Sequence, residues 1–299
     1  MSFTERLQAA VRRTHNPSVL GLDPMPDYVP DYVSAESDPA RRILAFNKML
    51  IDCTHDLIAA VKPQLAYYEA LGCDGFDAFL ETIRYAAGKG LIVIVDGKRN
   101  DIGSTAARYA HAYLEGGFAP FCDALTVNPY LGSDGMTPFL EAAHANGKGL
   151  FALVRTSNPS AGDLQDLILQ DKRPVYEAVA DLVTGWGKPF VGADGYAPLG
   201  AVVGATWPKQ ADALRRRLPH AFILVPGYGA QGGTADDAAR LFDEKGGGAV
   251  VNASRSLMLA YRKAKASTAD QFVTATRAAV SAMRDDLNAA LAKAGKVDS

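Results

Sequence analysis

The sequence contains few cysteines, and their spacing excludes several kinds of protein. Three occur among 299 residues, Cys53, Cys73 and Cys122, and no two of them form a Cys-x-x-Cys pair. An odd number of widely separated cysteines supports neither a disulfide framework nor a zinc site. The N-terminus also lacks the apolar segment and the small-residue cleavage pattern of a signal peptide. We therefore expect reduced cysteines in a cytoplasmic protein.

The chain has no excess of either charge and no long hydrophobic run. It carries 31 Lys and Arg against 33 Asp and Glu, which gives a net charge of -2. A surface that binds nucleic acid or anionic lipid needs basic side chains that neutralise phosphates, and a membrane helix needs about 20 apolar residues. The composition therefore predicts neither a nucleic-acid partner nor a membrane span. The expected ligand is a small molecule.

Motifs for metal binding and for nucleophilic catalysis are also missing. No group of histidines, cysteines and carboxylates has the spacing of a metal site, and no Gly-x-Ser-x-Gly elbow occurs. We therefore expect no metal and no cofactor. The five histidines fall in predicted helices or loops and receive no role: His15, His55, His111, His144 and His220.

The most informative stretch runs from residue 91 to residue 105. Five apolar residues lead directly into Asp96, Lys98 and Asp101. Such a run predicts a parallel strand covered on both faces, and residues two apart on a strand share a face. Because burying ions without a purpose is costly, Asp96 and Lys98 are candidate catalytic residues. A surface ion pair after the strand is the alternative. Asp101 lies beyond the strand end and could reach the cluster only from the following turn or from another subunit.

Eight strand-and-helix units follow one another along the chain. Strands separated by helices imply parallel pairing through right-handed crossovers, and eight units in about 250 residues fit a (β/α)8 TIM barrel better than an open sheet. An extra helix near residues 3–13 precedes this α/β barrel, and helical sequence at 268–295 closes it. We predict a single domain over residues 1–299. The predicted strands are residues 18–23, 59–67, 91–95, 124–130, 149–157, 199–206, 221–229 and 248–255.

Polar residues stand at the ends of several predicted strands. The active site of a (β/α)8 barrel lies at the carboxyl ends of its strands, so these side chains are expected to converge. Lys62 and the pair Asp96 and Lys98 come from adjacent strands, which favours a site over the ordinary polarity of loops. The residues at predicted strand ends are Asp23, Lys62, Asp96, Lys98, Ser157, Gln231 and Arg255.

A glycine-rich segment at residues 227–233 matches the pattern Gly-x-Gly-x-x-Gly of dinucleotide-binding folds. The match is weak, because the segment follows the seventh strand and Arg255 stands where a ribose-binding acid would be needed. A phosphate site fits better, since barrels of this kind often bind phosphate with the loops after strands seven and eight. The Arg255 guanidinium can bind two phosphate oxygens. A plain turn remains the alternative for the glycines.

The motif Asp96-x-Lys98-x-x-Asp101, followed by Thr105, resembles orotidine 5′-phosphate decarboxylase, and in particular the longer type 2 bacterial branch. The resemblance extends over the whole chain, with family-like segments in the expected order. These segments are Leu22-Asp23-Pro24, Val61-Lys62-Pro63-Gln64, Val127-Asn128-Pro129-Tyr130, Arg155-Thr156-Ser157-Asn158-Pro159 and residues 226–233.

The resemblance implies a decarboxylase, without metal or cofactor, that converts orotidine 5′-monophosphate (OMP) to UMP and CO2 in the last step of pyrimidine synthesis. It implies a charge array of Lys62, Asp96, Lys98 and Asp101, with Asp96 against the substrate carboxylate. Loss of CO2 leaves a carbanion at C6 that the ring cannot delocalise well, so a cation and a proton donor are needed beside C6. Lys98 would supply both.

The resemblance also implies how the substrate is held and how the chain assembles. It implies a homodimer with shared active sites, in which the neighbouring subunit contributes Asp101 and Thr105. The loop after the fifth strand is a candidate lid. The ribose hydroxyls would be held by Asp23, Lys62, Asp101 and Thr105, the pyrimidine by Ser157 and Gln231, and the phosphate by Gln231, Arg255 and the loop around Gly229.

Two other functions remain open from the sequence. Decarboxylases and aldolases of the same superfamily act on sugar phosphates with Mg²⁺, bound partly by a glutamate at the end of the second strand. The residue here is Lys62, and a cation at that position would repel the metal. A non-catalytic barrel that binds nucleotide phosphates is the other alternative, although such a protein would not need Lys98.

Overall fold

The computed structural model describes residues 1–296, and within them eight parallel strands pair in chain order to form a closed barrel. The (β/α)8 prediction is thereby confirmed. The single-domain prediction for residues 1–299 extends three residues beyond this described part. The strands are β1 Ser18–Leu22, β2 Ala60–Pro63, β3 Ile92–Arg99, β4 Ala124–Val127, β5 Gly149–Arg155, β6 Leu199–Val203, β7 Ile223–Val225 and β8 Ala249–Ala253.

Helices surround the barrel and include the predicted extra elements at both ends. The helix predicted after β3 continues beyond α5 as a π-helical turn, His111–Glu115. The α-helices are α1 Phe3–Thr14, α2 Pro39–Thr54, α3 Leu65–Glu69, α4 Gly72–Gly88, α5 Gly103–Ala110, α6 Ser133–Ala145, α7 Gly162–Gln165, α8 Val175–Gly187, α9 Pro208–Arg217, α10 Ala235–Ala239, α11 Arg255–Met258, α12 Ala260–Lys263 and α13 Ala269–Lys293.

Helix α1 closes the amino-terminal end of the barrel interior. Ser2 caps the helix by accepting a hydrogen bond from the Glu5 N–H at 3.1 Å, a residue type and position that favour helix initiation. The Phe3 ring packs edge-on against Phe151, with ring centroids 5.9 Å apart. A Cβ on Gly149 would lie 2.1 Å from the Phe3 ring, so only glycine allows this close approach. The barrel interior is therefore filled by side chains at its amino-terminal end.

Strand β3 contains a bulge at the point where its apolar run ends. Val95 pairs with Leu125 and Arg99 pairs with Val127, so three residues of β3 lie opposite the single residue Thr126 of β4. Lys98, within the bulge, has a φ of 45°, which is unusual for a residue with a side chain. Bulges redirect side chains and occur often beside active sites. This one sets the direction of the residues that follow the buried part of β3.

Candidate active site

A cavity of about 610 Å³ opens at the carboxyl end of the barrel. Seven of the ten site residues predicted from the sequence line it, and they come from six different strands or the loops that follow them. Three predicted residues, Asp101, Thr105 and Gly229, do not line it. The seven are Asp23, Lys62, Asp96, Lys98, Ser157, Gln231 and Arg255.

Asp96 lies at the centre of the charged part of this cavity, with 6% of its surface exposed. Its Oδ1 accepts hydrogen bonds from Lys98 Nζ at 2.6 Å and from Thr126 Oγ1 at 2.8 Å. Its Oδ2 accepts hydrogen bonds from Lys62 Nζ at 2.6 Å and from Gln64 Nε2 at 3.0 Å. Each carboxylate oxygen thus has one cationic and one neutral donor. Such full pairing is what makes a buried carboxylate tolerable.

The two lysines keep Asp96 ionised despite its burial. Burial by itself raises the pKa of Asp96, but the positive charges of Lys62 and Lys98 outweigh it and hold the pKa well below its ordinary value. Burial likewise opposes the charged form of Lys62, yet the carboxylates of Asp96 and Asp23 keep the Lys62 pKa above its ordinary value. Asp96 and Lys62 are therefore both charged at neutral pH.

Lys62 and Lys98 differ in their access to the cavity. The Lys62 side chain is 6% exposed, whereas that of Lys98 is 45% exposed. Both ammonium groups bind Asp96, but Lys98 also presents its Nζ to the open space. Lys98 is thus the lysine more open to a ligand, whereas Lys62 is enclosed beside Asp96.

Asp23, at the end of β1, offers an unsatisfied acceptor at the cavity wall. Its Oδ1 is buried and has no hydrogen-bond partner within residues 1–296. Buried polar atoms are nearly always paired in folded proteins, so an unpaired carboxylate oxygen beside a cavity marks a place for a donor on a ligand. A sugar hydroxyl is a donor of suitable size and polarity.

The glycine-rich loop after β7 reaches the cavity through Gln231. Gly227, Gly229 and Gly232 have φ values of 94°, 71° and 94°, a region that favours glycine. The Gly229 N–H donates to the Gly233 carbonyl at 2.9 Å, which places Gly229 in the turn behind Gln231 and away from the cavity lining. Arg255, the first residue of α11, also lines the cavity.

An ion pair and two hydrogen bonds hold the loop after β5 against the end of that strand. Arg155 is 1% exposed, and its Nη2 lies 2.9 Å from Asp166 Oδ1. Gln165 Nε2 donates to Thr156 Oγ1 at 2.7 Å, and Gln165 Oε1 accepts from the Thr156 N–H at 3.1 Å. These bonds fold the loop back beside Ser157, which lines the cavity.

Asp101 and Thr105 lie outside the cavity of the single chain. The Asp101 carboxylate accepts a hydrogen bond from the Ile102 N–H at 2.8 Å, and within the described residues it forms no ion pair with either lysine of the cluster. Thr105 is exposed on α5. A single chain therefore brings together three of the four predicted charged residues, Lys62, Asp96 and Lys98.

Several residues of the cavity were not predicted to have a role. Thr126 in β4 and Asn252 in β8 are single polar residues inside apolar strands, so in the sequence each is easily taken for a filler of the core. Gln64 caps helix α3, which accounts for it without a functional role. The cavity also has an aromatic and amide margin formed by Tyr28, Tyr67, Asn158 and Tyr228.

Residues 1–296 contain neither a metal-binding cluster nor a membrane-spanning helix. No group of three or more His, Cys, Asp or Glu side chains is arranged so that it could hold a metal ion. None of the helices in this part of the chain is both long enough and apolar enough to span a membrane.

A closed (β/α)8 barrel with a charged cavity at the carboxyl ends of its strands and a glycine-rich loop after β7 has the features of a TIM-barrel enzyme for phosphorylated substrates. The model of the orotidine 5′-phosphate decarboxylase / HUMPS family matches residues 19–269. The chain belongs to the orotidine 5′-phosphate decarboxylase family, and it is an enzyme of the carboxy-lyase class.

Relatives and solved structures agree with this assignment over nearly the whole chain. An orotidine 5′-phosphate decarboxylase from Rhodopirellula baltica is 46% identical, and the match covers 96% of this chain and 99% of the relative. The corresponding enzyme of Caldicellulosiruptor saccharolyticus is 39% identical over 97% of this chain and 99% of the relative. The structure of Leishmania donovani OMP decarboxylase superimposes with a TM-score of 0.76 at 32% identity, covering 97% of this chain and 98% of that one.

Proposed function

We propose that the chain converts OMP to UMP and CO2, and that Lys98 donates the proton that replaces the carboxylate at C6. The observation that carries this assignment is the position of Lys98 Nζ, half-exposed to the cavity and 2.6 Å from the buried carboxylate of Asp96. Breaking the C6–CO2 bond leaves an electron pair on C6, and transfer of a proton from the Lys98 ammonium forms the C6–H bond of UMP. A proton from solvent then restores the ammonium.

The charge array supports the chemistry because it exists before the substrate binds. Lys62 and Lys98 both contact Asp96, so the positive charge of Lys98 is fixed beside the cavity and need not reorganise as the carbanion develops. Asp96 would face the substrate carboxylate in this arrangement. Lys62, a cation at the end of β2, also disfavours the Mg²⁺-dependent sugar-phosphate chemistry of the wider superfamily.

We assign the remaining cavity residues to the parts of the substrate by their chemistry and by family resemblance. Asp23, with its unpaired Oδ1, would accept a hydrogen bond from a ribose hydroxyl. Ser157 and Gln231 would bind the pyrimidine from opposite loops. Arg255 and Gln231 would bind the phosphate together with the backbone of the glycine-rich loop around Gly229.

The direct test is to incubate the purified protein with OMP in the presence of EDTA and to follow the loss of the substrate's absorbance. We expect UMP to form at an undiminished rate, because the proposed chemistry uses only side chains of the protein. Activity that disappeared in EDTA and returned with Mg²⁺ would instead favour the metal-dependent branch of the superfamily. The absence of any turnover would refute the proposed function.

We further propose that the chain is a homodimer in which Asp101 and Thr105 complete the partner's site. Both residues lie outside their own chain's cavity, so a shared site is the arrangement in which they could meet a substrate. Apolar side chains near them are exposed: Ile102 is 55% exposed and Tyr130 is 73% exposed. A surface that combines exposed apolar side chains with the Asp101 carboxylate, which does not contact its own cavity, suits a reciprocal two-fold interface.

Mixing two inactive variants tests the shared site. Lys98→Ala and Asp101→Asn should each be nearly inactive, and the two are unfolded together and refolded as a mixture. Random pairing makes about half of the dimers mixed, and each mixed dimer has one site with both residues intact, so about a quarter of wild-type activity should return. If Asp101 served its own subunit, every site would keep a lesion. No recovery, with mixed dimers present by mass spectrometry, would refute the proposal.

The proposed compartment is the cytoplasm. All three cysteines are free thiols, and two of them are enclosed in the core. Burial raises the pKa of Cys53 and that of Cys122 to about 12. Thiols with such pKa values remain protonated and unreactive at neutral pH, so these two cysteines serve to fill the core.

A further inference from the structure

Thr126 lines the cavity, and the chemistry proposed above gives it no role. We propose that Thr126 is a positioning residue, whose hydroxyl holds the β3 bulge and the Asp96 carboxylate so that Lys98 Nζ lies at the reacting carbon. The inference rests on the proposed function, because it concerns the accuracy with which Lys98 is placed. It assigns to Thr126 no contact with the reacting atoms.

The Thr126 hydroxyl is used twice, and both bonds lead to Lys98. It accepts a hydrogen bond from the Lys98 backbone N–H at 2.9 Å and donates one to Asp96 Oδ1 at 2.8 Å. That same Oδ1 accepts the hydrogen bond from Lys98 Nζ at 2.6 Å. One hydroxyl thus fixes the lysine at its backbone and, through Asp96, at its ammonium group.

The bulge explains why a side chain is needed for this purpose. Three residues of β3 lie opposite Thr126, so the backbone of β4 cannot pair with all of them. Lys98 has a φ of 45° within this bulge, a conformation that must be held by its surroundings. The hydroxyl takes the place of the missing backbone acceptor for the Lys98 N–H. Without it, this N–H loses its partner, and the bulge is held to β4 only by the strand pairs on either side of it.

Orientation of Asp96 is the second part of the argument. Lys62 and Gln64 both bind Oδ2, so neither of them contacts Oδ1, the oxygen that Lys98 Nζ binds. Thr126 supplies the second donor on Oδ1 from a short side chain on the neighbouring strand, whereas the first donor is Lys98 Nζ itself. Thr126 is 1% exposed and can adopt few other positions. Thr126 therefore restrains the position of Asp96 Oδ1, the atom that orients Lys98 Nζ.

The role can be tested by removing the hydroxyl while keeping the shape of the side chain. Thr126→Val should lower kcat by about 10- to 100-fold, the loss expected when a reacting group is misplaced without being removed. The KM for OMP and the affinity for UMP should change by less than about threefold, because no substrate contact is lost. Thr126→Ser, which keeps the hydroxyl, should restore most of kcat.

A second measurement reports on Lys98 independently of decarboxylation. By microscopic reversibility, the group that donates the C6 proton also exchanges the C6 proton of bound UMP, which NMR can follow in D2O. This exchange rate should fall in Thr126→Val by about the same factor as kcat. A change in kcat without a change in exchange would show that Thr126 acts elsewhere and would overturn the proposal.

Thr82 provides a matched control on the outer layer of the fold. Its buried hydroxyl likewise donates one bond, to the Ala78 carbonyl at 2.7 Å, and accepts one, from Asn47 Nδ2 at 3.0 Å. Thr82→Val should therefore lose comparable thermal stability while keeping wild-type kcat. Equal losses of kcat in the two variants would reduce Thr126 to a general contribution to stability, and the proposal would be wrong.

The outcomes separate this inference from the proposed function. If wild-type protein does not turn over OMP, the proposed function fails. If wild-type protein is active and Thr126→Val keeps wild-type kcat, only the positioning role fails. Should Thr126→Val not fold, as judged by circular dichroism, Thr126→Ala replaces it, and the same losses of kcat and exchange with unchanged UMP affinity are expected.

Discussion

Lys98→Ala is expected to reduce kcat for OMP by more than about 100-fold, a loss of more than about 3 kcal/mol of transition-state stabilisation. In the proposed mechanism the variant loses both the cation beside C6 and the proton donor, and Lys62 is a poor substitute because its side chain is only 6% exposed and is paired with Asp96. Steady-state assays with OMP, with UMP quantified by chromatography, would measure the effect.

The fold of this variant should persist, because Asp96 keeps its bonds to Lys62, Gln64 and Thr126. Lys89→Ala is the matched control. Lys89 Nζ also lies 2.6 Å from a carboxylate, that of Asp52, but on the outer surface of the fold. The Lys89→Ala variant should keep full activity. A Lys98→Ala variant with more than about one hundredth of wild-type kcat would show that another group delivers the proton.

Arg255→Ala is expected to lower kcat/KM for OMP by two or more orders of magnitude. The guanidinium at the start of α11 is the cavity cation best placed for the phosphate beside the β7 loop. Binding energy from a remote phosphate can stabilise the transition state as well as the bound substrate, so both KM and kcat should suffer. Steady-state kinetics with OMP and calorimetric titration with UMP would measure the two effects.

Phosphate-free ligands make this prediction specific. Arg255→Ala should weaken UMP binding but leave uridine binding unchanged, since only UMP carries the phosphate that Arg255 is proposed to bind. Arg240→Ala is the control, because Arg240 pairs with Asp212 at 2.7 Å on the outer helices. Unchanged UMP affinity in Arg255→Ala would remove Arg255 from the phosphate site.

The sequence was most informative where a single physical rule applies to a whole element. Buried parallel strands are apolar on both faces, so the eight strands could be found from their apolar runs, and the polar residues after them mark the carboxyl end of the barrel. The stretch at residues 91–105 shows both the buried strand and the polar residues that follow it. The end of the strand was predicted less well, because β3 continues to Arg99 through a bulge that no residue pattern indicates.

The remaining features depend on contacts between distant parts of the chain. Thr126 is a β-branched residue in an apolar strand, which is ordinary for a core position, and only the register of β4 against the bulge brings its hydroxyl to Lys98. Arg155 directly precedes Thr156 and Ser157, but its burial depends on a stacking partner, Trp207, more than fifty residues away in the sequence. Such pairings are set by packing, and local sequence does not encode them.

The contacts that Arg155 makes with Asp166 and Trp207 in the loops after β5 and β6 affect the entropy of substrate binding. The Arg155 guanidinium stacks 3.9 Å from the centre of the Trp207 ring and pairs with Asp166, so much of this loop is already ordered in the free chain. Segments that order only on binding lose conformational freedom at that moment, at the expense of affinity. Here that loss occurs during folding. We therefore expect the segment that carries Ser157 to act as part of the barrel wall rather than as the lid that the sequence suggested.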